Sequence, residues 1–597
     1  MGRFPLLLGA LVALSAPLPA LAQAAAPAAA AAARQTEATI ATYQPEAGFA
    51  ARAGAARTAA GRAVVTSADP RATEAGLRIL ARGGSAADAA VATMIALTVA
   101  EPQSSGIGGG AFLTYYDAER RQVVTLDGRE TAPAATGPDR FLKPDGTPMD
   151  FRDAVPGGKS VGIPGVVALA AEMHRRWGRL PWAELFAPAI ALAEEGIVVT
   201  ERLHRFTGFR AATLSPEAAA VFLDPEGRPW PVGHLLRQPE LAQTLARIAR
   251  EGPSAFYTGP VADAVVRAVS GARRNPAPMT AEDLAGYRVA ERVPLCRPYR
   301  RWRVCTMGPP SAGGLAVLQI LLQLERFDLA RLGPDNLLSW HLMAESMRLA
   351  YADREAHGAD ADFVPVPVEG LLSPDYVARR SAMIRIDRAM PEAPPGVPPG
   401  HAVHAGALAD LPSTSHLAAA DARGSLASLT STIEAPFGSG LMAAGFLLNN
   451  ELTDFDLAPV RDGRPAPNRP EAGKRPRSSM APTIVFDPRG RPVAAFGAAG
   501  GATIIAQVAK TIIAHLDWGL PAEAALAAPT LVADRRGIRY EEGTRLAGMA
   551  AGLKALGHAE VQPASLPVKG QVIARAGRGW RAAADPRSEG TSAALGR

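Results

Sequence analysis

The 597 residues carry 63 Lys and Arg against 57 Asp and Glu, a formal charge of +6, with 48% hydrophobic and 20% charged residues. That is a globular balance, and at this length one large unit or two intertwined ones are expected. The positive charge is scattered arginine; its densest cluster, RPYRRWR at 297–303, is too short for a nucleic-acid surface.

The chain opens with MGRFPLLLGALVALSAPLPALAQ: Arg3, a short apolar run, and Ala20-Leu21-Ala22 as a small-residue cleavage site. This pattern predicts a secretory signal over 1–22, cut before Gln23, and therefore a periplasmic or secreted protein. The Ala-rich stretch 23–55 reads as a tether, and no later stretch is long and apolar enough to cross a bilayer. From about 60 to 130 the pattern predicts a helix ending at Gly83-Gly84, a buried Ala-rich helix, a Gly-rich turn and a strand. Between 160 and 290 it is helical, with breaks at Pro and Gly.

The two cysteines lie in VPLCRPYRRWRVCTM. If Arg300-Arg301 is a two-residue turn, Cys296 faces Cys305 across a hairpin. A cross-strand disulfide and two small buried side chains are both open readings. The ten histidines show no ligand spacing, and His401 and His404 lie in a Pro-rich linker, so no metal site is expected. Two further helices follow the hairpin, then the structureless run PEAPPGVPPG at 391–400. Beyond the linker, SHLAAAD-ARG-SLASLTSTIE reads as strand–turn–strand, and RPVAAFGAAGGATIIAQVAKTIIAHLDWG as strand, Gly turn, long helix. Helices alternating with antiparallel strands predict sheets covered by helices, an α/β-layered domain.

Two Gly-rich stretches invite a nucleotide reading. GIGGGA at 106–111 follows a helix and leads into a strand, the reverse of a dinucleotide fingerprint. GAAGGA at 497–502 follows a strand and opens a helix, but lacks the fingerprint spacing and the lysine of a phosphate loop. Gly500 and Gly501 there could expose backbone amides to an anion or oxyanion, or simply make a tight turn. The residues Ser413, Thr414 and Ser415 stand at the mouth of a strand. They are either hydroxyls ending a loop or the place where the chain is cut. Thr414 could attack the carbonyl before it, and the freed residue would carry a hydroxyl beside an α-amine of pKa about 7.7–8.0, its own base near neutral pH. Thr432 on the partner strand could hydrogen-bond that hydroxyl. Taken singly, Arg129 reads as a surface arginine, Glu451 and Asp454 as a solvated acidic pair, and Ser478 and Ser479 as turn hydroxyls.

In order along the chain stand DGRETAP, PPSAGG, YADR, TSH, FGSGL, LLNNELTDFD, KRPRSSMAPTIV, GAAGGATI and DPRS. With these, the chain from about residue 60 to its end resembles the γ-glutamyltranspeptidase (γ-glutamyltransferase) family of N-terminal-nucleophile hydrolases. The resemblance implies a stacked αββα sandwich and a precursor that cleaves itself between Ser413 and Thr414. A large subunit, 56–413 beyond the tether, and a small subunit, 414–597, would result. It also implies roles: Thr414 as nucleophile with Thr432 in support, Arg129 on the donor α-carboxylate, and Glu451 and Asp454 on its α-ammonium. Ser478 and Ser479 would meet the carboxylate end, and Gly500 and Gly501 would form the oxyanion hole. Glu434 departs from the Asn of many members and adds a third acid to the ammonium site.

The implied activity is transfer of the γ-glutamyl group from glutathione-like donors to water, amino acids or peptides, with no metal or organic cofactor. A same-fold acylase acting on glutaryl β-lactams and an exported binding protein without chemistry are the alternatives. Many members carry an aromatic lid after a DDF-type motif, at the place of LTDFD here. Here DLAPVRDGRPAPNRPEAGK, 456–474, is short and has no aromatic residue, which implies an open cleft.

Overall fold

A computed structural model describes residues 2, 56–400 and 413–596. The expected signal at 1–22 (Gly2 apart), the tether at 23–55, His401 and His404 lie outside the described residues. Among the described residues, no helix is long and apolar enough to cross a membrane.

Two seven-stranded sheets form the centre. In the first, Ser415–Ala420 lies between Ala63–Ser67 and Leu426–Thr432, and Gly110–Asp117 and Gln122–Gly128 continue the order. In the second, Pro492–Ala499 lies between Lys569–Ala576 and Thr483–Phe486, with Trp302–Thr306 and Leu295–Tyr299 closing one side. The pairings within both sheets are antiparallel.

The alternation of side chains along a strand explains the layering. In Ser415–Ala420, Ala418 and Ala420 pack between the sheets with Ile484, Ala495 and Ile573. Leu417 and Ala419 point the other way, into the core under the helices. A strand covered on both faces needs apolar residues at consecutive positions, which is why SHLAAAD shows little polar alternation. The helix Ala86–Ala100, buried along its whole length, covers the outer face of the first sheet. Ser85 and Asp88 form a reciprocal capping box at its start. The helices Gly313–Leu324, Leu337–His357 and Thr503–Leu516 share the core beside the second sheet. The architecture is the expected αββα sandwich.

The hairpin turns at Arg300-Arg301, where Arg300 takes a left-handed φ of +54°. Its register sets Cys296 opposite Cys305, and their sulfurs are bonded at 2.09 Å. The Pro-rich run 391–400 has no regular secondary structure, as expected, yet it is not loose. The Gly396 amide donates to Asp353 Oδ1 at 2.7 Å, and Arg380 donates to the Pro394 carbonyl at 2.8 Å.

Candidate active site

Ser413 and Thr414 enter the middle of the first sheet, where neighbouring strands fix their surroundings. Because Ser415 pairs with Ser431, the next residues along, Thr414 and Thr432, come side by side. The Thr414 hydroxyl contacts the Ser413 carbonyl and lies 3.4 Å from the Thr432 hydroxyl. Thr432 Oγ1 donates to the same Ser413 carbonyl at 3.1 Å and accepts from the Glu434 amide at 2.8 Å. The bond between Ser413 and Thr414 therefore has a hydroxyl beside its carbonyl and a second hydroxyl polarising it. Glu434 makes the reach-back possible by adopting φ +74°, a conformation uncommon for a residue with a side chain.

The loop after the helix Ala86–Ala100 wraps this point. The Gln103 carbonyl accepts from Ser413 Oγ at 2.9 Å, and Ser105 Oγ donates to Ser415 Oγ at 3.0 Å. Ser415 in turn donates to Glu101, which is ion-paired with Lys569. Lys569 Nζ also donates to the Thr414 carbonyl at 2.9 Å.

Arg129 follows the strand Gln122–Gly128 directly and is 1% exposed, not the surface arginine its local sequence suggests. Its guanidinium donates to Glu451, to Asp454 at 2.5 Å, to the Pro476 carbonyl at 3.2 Å and to the Arg477 carbonyl at 2.8 Å. Glu451 and Asp454 are likewise buried, on one 3₁₀ turn, Glu451–Asp454, whose three-residue spacing aims both at the same guanidinium. Burial of ions demands such pairing. Burial lowers the Arg129 pKa, but Glu451 and Asp454 raise it further, so the guanidinium stays charged. Burial pushes the Glu451 carboxyl well above the ordinary carboxylate range, against the pull of Arg129. Burial also raises the neighbouring Glu130 to about 7.

Glu434 accepts a hydrogen bond from Asn450 Nδ2 at 2.5 Å, and Asn450 Oδ1 accepts from the Ala435 amide at 2.9 Å. Ser478 and Ser479 are buried beside this cluster. Ser479 Oγ accepts from Arg354 at 2.6 Å, and Ser478 Oγ from the Met480 amide at 3.2 Å. Gly500 and Gly501 have φ of +128° and +58° and turn the strand Pro492–Ala499 into the helix Thr503–Leu516.

One small cleft, about 20 Å³, collects these groups. Arg129, Ser413, Thr414, Thr432, Glu434, Glu451, Asp454, Ser478, Ser479 and Gly501 line it, with Met480 and Ile504 as apolar wall. Of the expected site residues other than the cysteines, Gly500 alone stands back from the lining. No residue of 456–474 lines the cleft. A larger cavity, about 630 Å³, lies behind the segment 439–444 and contains none of the expected site residues. Sequence reasoning missed Glu101, Glu130, Arg354, Asn450 and Lys569. The available signal was charge inside apolar runs, such as Glu101 closing an Ala-rich helix and Lys569 in VKGQVI.

The chain is similar to known proteins in sequence and fold. The family profile described as Gamma-glutamyltranspeptidase matches residues 72–595. The glutathione hydrolase proenzyme of Bacillus subtilis (strain 168) is 37% identical over 491 residues, covering 80% of this chain and 82% of that protein. The acylase ACY 1 proenzyme of Pseudomonas sp. (strain SE83) is 35% identical over 510 residues, covering 84% and 88%. Among solved structures, a cephalosporin acylase from Bacillus halodurans superposes with a TM-score of 0.78 at 28% identity, covering 91% of this chain and 97% of that one. A Helicobacter pylori γ-glutamyltranspeptidase chain gives a TM-score of 0.53 at 34% identity, covering 56% and 95%.

Proposed function

The chain belongs to the γ-glutamyltranspeptidase family, and on that premise we propose that it cuts itself between Ser413 and Thr414 and then uses Thr414 to move γ-glutamyl groups. In the first reaction Thr414 Oγ1 attacks the Ser413 carbonyl carbon and its proton passes to the Thr414 nitrogen as the C–N bond breaks. Water opens the resulting ester, leaving a Ser413 carboxylate and a free Thr414 amine. In the second, the Thr414 hydroxyl attacks the γ-amide of glutathione or a related donor. The amine takes the hydroxyl proton and delivers it to the leaving amine. Water or an amino-acid or peptide amine then resolves the γ-glutamyl ester, with Gly501 and Gly500 as candidates to hold its oxyanion.

The observation that carries this reading is the Ser413 carbonyl held by Thr432 beside the Thr414 hydroxyl, in a cleft that also contains Arg129, Glu434, Glu451 and Asp454. Glu451 and Asp454 pair with one guanidinium there, and Glu434 adds a third acid to the lining. A donor end carrying both a carboxylate and an ammonium fits: the ammonium meets the acids while the carboxylate approaches Arg129, Ser478 and Ser479. The test is Thr414→Ala, which should accumulate as one uncut, inactive chain on a denaturing gel. An active Thr414→Ala protein would sink the mechanism. The export expected from residues 1–22 belongs to the same reading and is checked by sequencing the mature N-terminus, which should begin at Gln23 and not Met1.

A second reading, a glutaryl-type acylase, is favoured by the likeness to the acylase ACY 1 proenzyme and to the cephalosporin acylase. A glutaryl group lacks the ammonium and would leave the acids unmatched. Charged hydrogen bonds contribute about 1.5–3 kcal/mol, so γ-glutamyl amides should be preferred over glutaryl amides by roughly ten- to hundredfold in kcat/KM. A preference for the glutaryl amide would select the acylase reading.

A further inference from the structure

The residue that would become the new N-terminus is gripped from the opposite sheet. Lys569 opens the strand Lys569–Ala576 of the second sheet, in register with Ala499, the last residue before the Gly500-Gly501 turn. Its amide donates to Gln507 Oε1 at 3.0 Å, which anchors its backbone to the helix Thr503–Leu516. Its side chain reaches across to the first sheet, where Nζ donates to the Thr414 carbonyl at 2.9 Å and pairs with Glu101. Glu101 takes the Ser415 hydroxyl on Oε2, and Arg202 Nε stands 3.6 Å from Oε1, the oxygen that pairs with Lys569. Lys569 and Glu101 are 4% and 2% exposed. A lysine and a glutamate this deeply buried persist only with satisfied partners, and here the shared partners are the first two residues of strand and cleft, Thr414 and Ser415.

We propose that Lys569, with Glu101, is a positioning residue that locks Thr414 in place both before and after the chain is cut. The inference rests on Thr414 being the nucleophile. The bond that breaks is Ser413 C to Thr414 N. Neither the Thr414 carbonyl nor the Ser415 side chain takes part, so the grip is unchanged by the cut. Without it, Thr414 would be a chain end, and chain ends fray unless tied down. With its carbonyl fixed, Thr414 presents its amine and hydroxyl together at one place in the cleft, which is what attack on a bound donor requires. Misplacement by about 1 Å can cost a hundredfold in rate. Neither Lys569 nor Glu101 lines the cleft, so donor binding does not depend on them directly.

The test compares Lys569→Met, Lys569→Arg and the double variant Lys569→Met/Glu101→Gln, which removes both charges so that neither is left buried alone. Chain cutting is followed on denaturing gels, and kcat and KM are measured separately with a γ-glutamyl anilide. Lys569→Met and the double variant should cut at least tenfold more slowly and lose at least tenfold in kcat, with KM within about threefold of the parent. Lys569→Arg, which keeps a cation at the Thr414 carbonyl, should recover most of the kcat. Normal cutting and kcat in a double variant that melts like the parent would overturn the proposal. So would a loss that falls on KM, or one that Lys569→Arg shares in full. An active Thr414→Ala protein would instead remove the reading on which the proposal stands, so the two failures are distinguishable.

Discussion

Arg129 holds more charge in balance than a substrate clamp alone requires. Its guanidinium serves Glu451, Asp454 and two backbone carbonyls, so Arg129→Ala removes a structural partner as well as the proposed donor contact. Loss of the donor contact should lower kcat/KM roughly ten- to hundredfold, mainly through KM. Breaking a buried pair costs about 3–5 kcal/mol, so the melting temperature should fall too. Separate kcat and KM values with a thermal melt check both, and an unchanged KM would remove the assigned role. Glu130 beside it gives a pH signature. Burial raises its carboxyl to about 7 against the opposing pull of Arg129, whereas a glutamate in an unfolded chain titrates near about 4.3. Between those values the folded protein keeps a proton that the unfolded chain has released. The contribution of Glu130 to stability is therefore full below the lower value and is lost as pH rises through the upper one. In Glu130→Gln that loss is absent. The melting temperature of the variant relative to the parent should climb from pH 5 to pH 8, and a constant difference would show that Glu130 does not titrate there.

The element on which the open-cleft expectation rests is the segment 456–474. It folds as a small hairpin, Val460–Arg461 against Arg464–Pro465, and its remainder braces the acidic turn rather than covering the cleft. Asn468 is the brace: its amide nitrogen donates to the Asp454 carbonyl at 2.7 Å, and its side-chain oxygen accepts from the Arg477 amide at 3.0 Å. The site is then expected to accept γ-linked glutamate oligomers as well as glutathione, since closure of a lid is what ordinarily excludes bulk and water. In a series of increasing length, kcat/KM should change little at the first added residue. A steep fall there would mean that another part of the chain covers the cleft. The run DLAPVRDGRPAPNRPEAGK shows in its letters that it carries no aromatic residue. It does not show the bracing role, because Asn468 meets Asp454 and Arg477 only when the segment folds back.

At the scale of the molecule, the two pieces expected from cutting are interleaved. In the second sheet, Arg57–Gly61, Trp302–Thr306 and Leu295–Tyr299 come from before Thr414, and the four strands between them come from after it. In the first, Ser415–Ala420 pairs with Ala63–Ser67, and Leu426–Thr432 with Gly110–Asp117. Cutting one bond should leave a single particle that separates only under denaturant. The piece 414–597 made alone should aggregate, because its strands would present unpaired edges and uncovered apolar faces. Gel filtration of the cut protein and of the isolated piece checks this. A folded, monomeric 414–597 would contradict it.

Much of this is written locally. The short Leu- and Thr-bearing run SLASLTST after the ARG turn, the capping residues Ser85 and Asp88, and the Gly500-Gly501 turn are properties of a few consecutive residues, and they announce a strand, a helix start and a turn without reference to the rest. The order of short motifs likewise determined the family and its sandwich. What the residues could not say locally was the environment of their charges. Arg129, Glu451 and Asp454 read as solvated groups, and Lys569 gave no sign of reaching residue 414. Whether the two cysteines bonded was open for the same reason: a hairpin permits the bridge, but packing orients the thiols. Periodicity reports what the next few residues do, whereas the partner of a buried charge lies hundreds of positions away. That pairing exists only once two sheets stack and water is excluded between them, so the tertiary structure alone decided it.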